Sequence, residues 1–129
     1  ALAENLKEIA PYIDLITITQ KITQDNFKDL LKNVDVICEA FDDVEAKAML
    51  VNGVLEHLPN TYLVAASGMA GIGTPNIIKT RKITKRFYLC GDEVSDVSDT
   101  IGLVAPRVML CAAHQAHTVL RILAGEYDV

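Results

Sequence analysis

The chain has no tryptophan, and aromatic residues make up only 5% of it. A core built around large rings is therefore excluded. Packing must come from Val, Ile, Leu and Ala, which a 50% apolar content supplies. No apolar run reaches the roughly 18 residues needed to span a membrane, so no membrane partner is expected. No secretory leader pattern is visible at the start. Basic residues are not in excess: 12 Lys and Arg stand against 17 Asp and Glu, for a net charge of −5. That balance argues against a general nucleic-acid binder, which is usually basic. Cysteine is sparse as well. Cys38, Cys90 and Cys111 lie far apart with no C-x-x-C pair, so neither a disulfide framework nor a zinc knuckle is indicated. They read as reduced thiols in a cytoplasmic protein, with Cys38 and Cys111 as small core residues.

What is present has the length of one domain, or one piece of a domain. Leu2, Leu6 and Ile9 are spaced as a helix that ends before Pro11. Ile13 to Thr19 is rich in β-branched residues and predicts a strand. Thr23 reads as the N-cap of a short helix through Phe27, Leu30 and Leu31. Val34 to Ala40 predicts the next strand. Val44, Ala48, Val51, Leu55 and Leu58 form a helical stripe, broken by Pro59-Asn60. Tyr62 to Ala66 predicts a buried strand. The alternation α-β-α-β-α-β implies a parallel sheet with crossover helices. Two short extended runs follow, near Asn76 to Lys79 and Arg86 to Leu89. Gly91 to Asp99 is acidic, has no core pattern and reads as mobile. A long helix is predicted over Arg107 to Ala124, with Pro106 in its first turn and Gly125 as its C-cap.

The most informative segment is Val34 to Lys47. An apolar strand pattern stops at Asp42-Asp43, and a helix pattern begins at once. In open α/β sheets ligands bind outside the carboxyl ends of the strands, which puts both carboxylates at the mouth of such a crevice. Asp43 also suits the N-cap of the next helix, and capping alone is the competing reading.

Other motifs carry less. Gly68, Gly71 and Gly73 give G-x-x-G-x-G, the reverse of the dinucleotide fingerprint, and the loop leads into an extended segment. It reads as a flexible loop of close backbone approach more than a phosphate cradle. His114 and His117, with Arg121 one turn on, could ligate a metal. With no third ligand evident, they read better as the polar stripe of a packed helix. Lys79, Arg81, Lys82, Lys85 and Arg86 form a basic ribbon, suited either to an acidic partner or to a solvated hairpin surface.

Four segments carry a family resemblance: 5–11, Cys38-Glu39-Ala40-Phe41-Asp42-Asp43, 65–71 and Gly102-Leu103-Val104-Ala105-Pro106-Arg107. Together they resemble the E1-like adenylyltransferases, most closely the ThiF type that activates a thiamine-pathway sulfur carrier. The resemblance spans nearly the whole chain. It implies an α/β, Rossmann-like sheet of parallel strands with crossover helices, a short antiparallel portion and a truncated N-terminus, so that residues 1–129 form the C-terminal part of the domain. The family's strand-end motif, Thr-Asp-Asn with Arg four residues on, reads here as Phe41-Asp42-Asp43 with Lys47. The resemblance therefore implies that Asp42 is the catalytic carboxylate holding Mg²⁺ and ATP, with Asp43 and Lys47 beside it at the nucleotide.

The departures shape the rest of the expectation. The family's glycine-rich ATP loop, its Arg and a Lys expected just before Ala1 are absent. Zinc-binding members carry two C-x-x-C pairs, of which only Cys90 matches, with Phe87 in the other position, so no zinc is expected. Ser98 stands near where some relatives carry a loop cysteine for sulfur transfer, which leaves adenylation as the expected chemistry. The resemblance implies a nucleotidyltransferase that uses ATP and Mg²⁺ on the C-terminal glycine of a ubiquitin-like (ThiS-like) sulfur-carrier protein. It further implies a cytoplasmic homodimer, with the fragment alone inactive. The alternative is a non-catalytic dimerisation or carrier-docking module of the same fold. A nicotinamide oxidoreductase lacks its fingerprint.

Overall fold

The computed structural model describes residues 1–99 and 101–129. Its elements run α1 (Leu2–Ile9), α2 (Phe27–Leu31), β1 (Val36–Cys38), α3 (Val44–His57), β2 (Tyr62–Ala66), β3 (Lys79–Thr84), β4 (Phe87–Gly91) and α4 (Ala105–Leu123). Single 3₁₀ turns lie at Pro75–Ile77 and Val97–Asp99. The four strands form one sheet in the order β1-β2-β4-β3. β1, β2 and β4 are parallel, and β3 returns antiparallel to β4 as a hairpin. This is the expected mixed α/β, Rossmann-like arrangement.

Strand side chains alternate between faces, and the sheet is covered on both. Leu63 and Ala65 join Ile37, Phe87, Phe27, Leu50 and Val54 under α2 and α3. Val64 and Ala66 join Tyr88, Cys90, Cys111 and Ile122 under α4. Gly53 lets α3 lie directly on the Phe27 ring, where a Cβ would come within 2.7 Å of ring carbon Cζ. α4 ends as predicted. Gly125 has φ +82°, and Gly125 and Glu126 N–H donate to Ile122 and Arg121 C=O, which is a Schellman closure.

Four expectations are corrected. Ile13 to Thr19 forms no strand, and Ile16 and Ile18 are 77% and 61% exposed. β-branched composition favours extension but cannot supply the ladder partner a strand requires. Thr23 is not the N-cap of α2. Asn26 holds that position, and its side chain accepts from Thr23 N–H at 2.7 Å. Asn76 belongs to a 3₁₀ turn, so the extended run begins at Lys79. Cys38 is exposed rather than part of the core; it is the last residue of β1, the outermost of the described parallel strands.

Candidate functional site at the carboxyl ends of the parallel strands

Three loops leave the same end of the sheet, after β1, β2 and β4. The first carries Glu39 to Asp43. Asp43 caps α3, its Oδ1 accepting from Ala46 N–H at 2.7 Å. Asp42 is exposed and accepts no hydrogen bond from the described residues. The structure thus separates the adjacent carboxylates: one is committed to the helix, and the other is free.

Lys47 lies one turn into α3, and its ammonium is turned inward. Nζ donates to Glu39 Oε1 and Oε2 at 3.0 and 3.1 Å and approaches Ala66 C=O at 3.5 Å. Glu39 is 1% exposed. Its carboxylate also accepts from Phe41 N–H at 2.6 Å and Ala66 N–H at 3.4 Å, and its backbone C=O accepts from Gln115 Nε2 at 2.8 Å. Glu39 therefore joins β1, β2, α3 and α4. A buried carboxylate persists as an ion only when paired and hydrogen-bonded, and this one has both.

The second loop is the glycine-rich Ser67 to Thr74, pinned from several sides. Asp92 N–H donates to Gly68 C=O at 2.7 Å, and Ala70 N–H donates to Ser95 Oγ at 3.1 Å. Gly68 has φ +77°, and a Cβ there would fall 2.1 Å from Asp92 Oδ1. Gly91, at φ +138°, leaves no room for a Cβ against Ser67 C=O. These glycines serve close approach rather than flexibility.

The third loop begins at Asp92, whose side chain is 3% exposed. It accepts from Val94 N–H, Ser95 N–H and Ser95 O–H at 2.8 to 3.0 Å, and pairs with Arg107 Nη2 at 2.6 Å. Burial alone would raise its carboxyl. The Ser95 and Val94 donors and the Arg107 charge outweigh that and hold it below the usual carboxylate range. The acidic segment thus has a buried anchor at its start, contrary to its reading as a stretch without core character. Arg107, 5% exposed, also donates to Gly73 C=O at 2.7 Å and Thr74 C=O at 3.2 Å.

The remaining motifs resolve as structure. His114 Nδ1 lies 3.0 Å from Thr80 Oγ1, whereas His117 is exposed. Among the described residues no three His, Cys, Asp or Glu side chains gather as metal ligands. In the basic ribbon, Arg81 forms a fork to Glu93, Lys82 donates to Tyr127 C=O at 2.8 Å, and Arg86 lies over the Tyr62 ring. Those contacts favour the hairpin-surface reading over an acidic partner. Burial pushes Cys90 up and carries Cys111 to about 11, so neither is poised as a thiolate.

The ThiF family matches across residues 1–129. The chain belongs to the ThiF family. This ThiF-family chain is 27% identical over 126 residues to the sulfur carrier protein ThiS adenylyltransferase of Escherichia coli (strain K12), covering 95% of the chain and 49% of that protein. It is 26% identical over 129 residues to the sulfur carrier protein ThiS adenylyltransferase of Bacillus subtilis (strain 168), covering 98% of the chain and 38% of that protein. The chain thus spans half or less of the length of these ThiF-family relatives. No solved structure matches it.

Asp42 and Asp43 follow β1, as the strand pattern placed them, and Lys47 lies one turn into α3. Sequence reasoning missed Glu39, Asp92, Arg107 and Gln115 as site-forming residues. Two signals were available. Glu39 ends an apolar strand run, where a charge needs a partner. Arg107 sits in a helix first turn, where the dipole disfavours a cation.

Proposed function

We propose that this chain is part of an ATP-dependent adenylyltransferase that activates the C-terminal glycine of a ubiquitin-like, ThiS-like sulfur carrier in thiamine biosynthesis. One observation carries the reading: Asp42 is an exposed carboxylate with no partner among the described residues, in the loop after parallel strand β1, whose neighbour β2 leads into the glycine-rich loop. The names of the two relatives support the substrate class.

The donor chemistry fits Mg²⁺, a hard cation bound through one or two carboxylates plus substrate phosphates. Asp42 would hold it. When bound, Mg²⁺ supplies electrophilic stabilisation of charge on the phosphates. In the reaction the carrier's terminal carboxylate attacks the α-phosphorus of ATP, a P–O bond forms, and the bond to pyrophosphate breaks. Asp43 keeps the start of α3 in place with its cap. Lys47 acts through Glu39, fixing the loop that presents Asp42. Met109, Leu120 and Leu123 leave an exposed apolar stripe on α4, which supports a homodimer.

The test is ATP–pyrophosphate exchange by the full-length protein with and without a carrier ending in glycine. Carrier-dependent exchange is expected. Carrier binding with no exchange would instead mark a docking module.

A further inference from the structure

One side chain organises the glycine-rich loop. Arg107 reaches from the first turn of α4 to Asp92 at 2.6 Å and to the carbonyls of Gly73 and Thr74 at 2.7 and 3.2 Å. A cation at a helix N-terminus opposes the helix dipole, and these acceptors offset that cost. Buried ion pairs of this kind add little net stability over apolar packing, but losing one partner is costly. Here the pair and the two carbonyls hold the glycine-rich loop in its observed shape.

That shape bounds a cleft of about 430 Å³ between Gly71 to Gly73 on one side and Val94 to Ser95 on the other, with Arg107 and Asp92 in its lining. The rest of the lining includes Ile72 and Ile77, so the cleft suits a thin, largely apolar chain better than a phosphate. β2 separates β1 from β4. Two strand spacings, about 10 Å, therefore lie between the strand leading to Asp42 and the strand leading to Asp92.

We infer that Arg107 is a positioning residue for the carrier: through Asp92 and the Gly73 and Thr74 carbonyls it holds the glycine loop in the form that receives the carrier's extended C-terminal peptide, and it does not act on the nucleotide. This rests on the adenylyltransferase reading above.

The test uses the full-length protein with Arg107→Lys, which keeps the charge and loses the planar fork. The carrier KM in ATP–pyrophosphate exchange should rise about tenfold or more. Affinity for Mg-ATP, titrated without carrier, should stay within about twofold. An unchanged carrier KM, or an equal loss of Mg-ATP affinity, overturns the assignment. If Arg107→Lys does not melt cooperatively, Gly73→Ala carries the test. Its methyl would lie 3.6 Å from Arg107 Nη1, an ordinary contact inside the cleft lining. The same rise confined to carrier KM is expected, and its absence overturns the proposal. A wild-type protein with no carrier-dependent exchange overturns the adenylyltransferase reading and this inference with it. Exchange with an unmoved KM overturns only the role of Arg107.

Discussion

The Lys47 ammonium lies 3.0 and 3.1 Å from the two carboxylate oxygens of Glu39, and this pair closes the end of β1 against β2. Lys47 is thus engaged inside the fold one turn from Asp42. Removing it leaves the buried Glu39 carboxyl without its ion-pair partner, an outcome that costs about 3 kcal/mol or more.

Lys47→Met should therefore lower the unfolding free energy of the full-length protein by roughly 3 kcal/mol in urea. Glu39→Gln should cost less, about 1–2 kcal/mol, because the amide oxygen still accepts from Phe41 and Ala66 N–H. The double variant should recover part of the loss, since no lone buried charge remains. A Lys47→Met protein of unchanged stability and weakened Mg-ATP affinity would show that Lys47 serves the nucleotide directly.

The pH dependence of stability has two limbs with assigned groups. The Asp92 carboxyl is depressed in the fold, so its contribution is present above the ordinary carboxylate range and is lost as pH falls below about 4. The Cys111 thiol is raised to about 11 by burial. Its contribution is complete below the ordinary thiol range and is lost as pH rises from about 9 toward 11. Asp92→Asn should flatten the acid limb of unfolding free energy against pH, and Cys111→Ala the alkaline limb. Limbs that keep their slopes in these variants would mean other groups set them.

Gly53→Ala sets two effects against each other. Helix propensity favours alanine by about 1 kcal/mol. A methyl 2.7 Å from the buried Phe27 ring overpacks the core at a cost of about 1–3 kcal/mol. The ring is fully buried, so net destabilisation of about 1 kcal/mol is expected from thermal or urea unfolding. A stabilised variant would show that Phe27 yields easily.

The cysteines should be dispensable for adenylation. The full-length Cys38→Ser, Cys90→Ser, Cys111→Ser protein should keep its pyrophosphate exchange after correction for folded fraction, with the stability loss coming from the two buried thiols. A folded triple variant without exchange, or stoichiometric zinc in the native protein by elemental analysis, would contradict this.

Much of this architecture was legible because burial imposes periodicity. The α3 stripe, the fully apolar β2 and the proline and glycine that bracket α4 all declare themselves in composition. Ile13 to Thr19 did not, because the same β-branched residues are extended with or without a partner strand. At the site, Asp42 and Asp43 were legible as strand-end carboxylates, but only geometry divides them into a free group and a cap. The contact between Asp92 and Arg107 was not legible at all. It joins residues 15 apart in sequence across a loop with no periodic signal, and depends on how β4 and α4 meet. The partner of Lys47 was not legible either: its ammonium meets Glu39, eight residues earlier in the chain.

The proposed division gives Asp42 the metal and Asp43 the helix cap. The deciding measurement is carrier-dependent ATP–pyrophosphate exchange by the full-length Asp42→Asn and Asp43→Asn proteins. Asp42→Asn should lower exchange by orders of magnitude, the loss of several kcal/mol of metal-assisted stabilisation. Asp43→Asn should remain within about threefold of wild type, because asparagine caps helices as well as aspartate does. Comparable losses in both variants, or near-normal exchange by Asp42→Asn, would rule that division out.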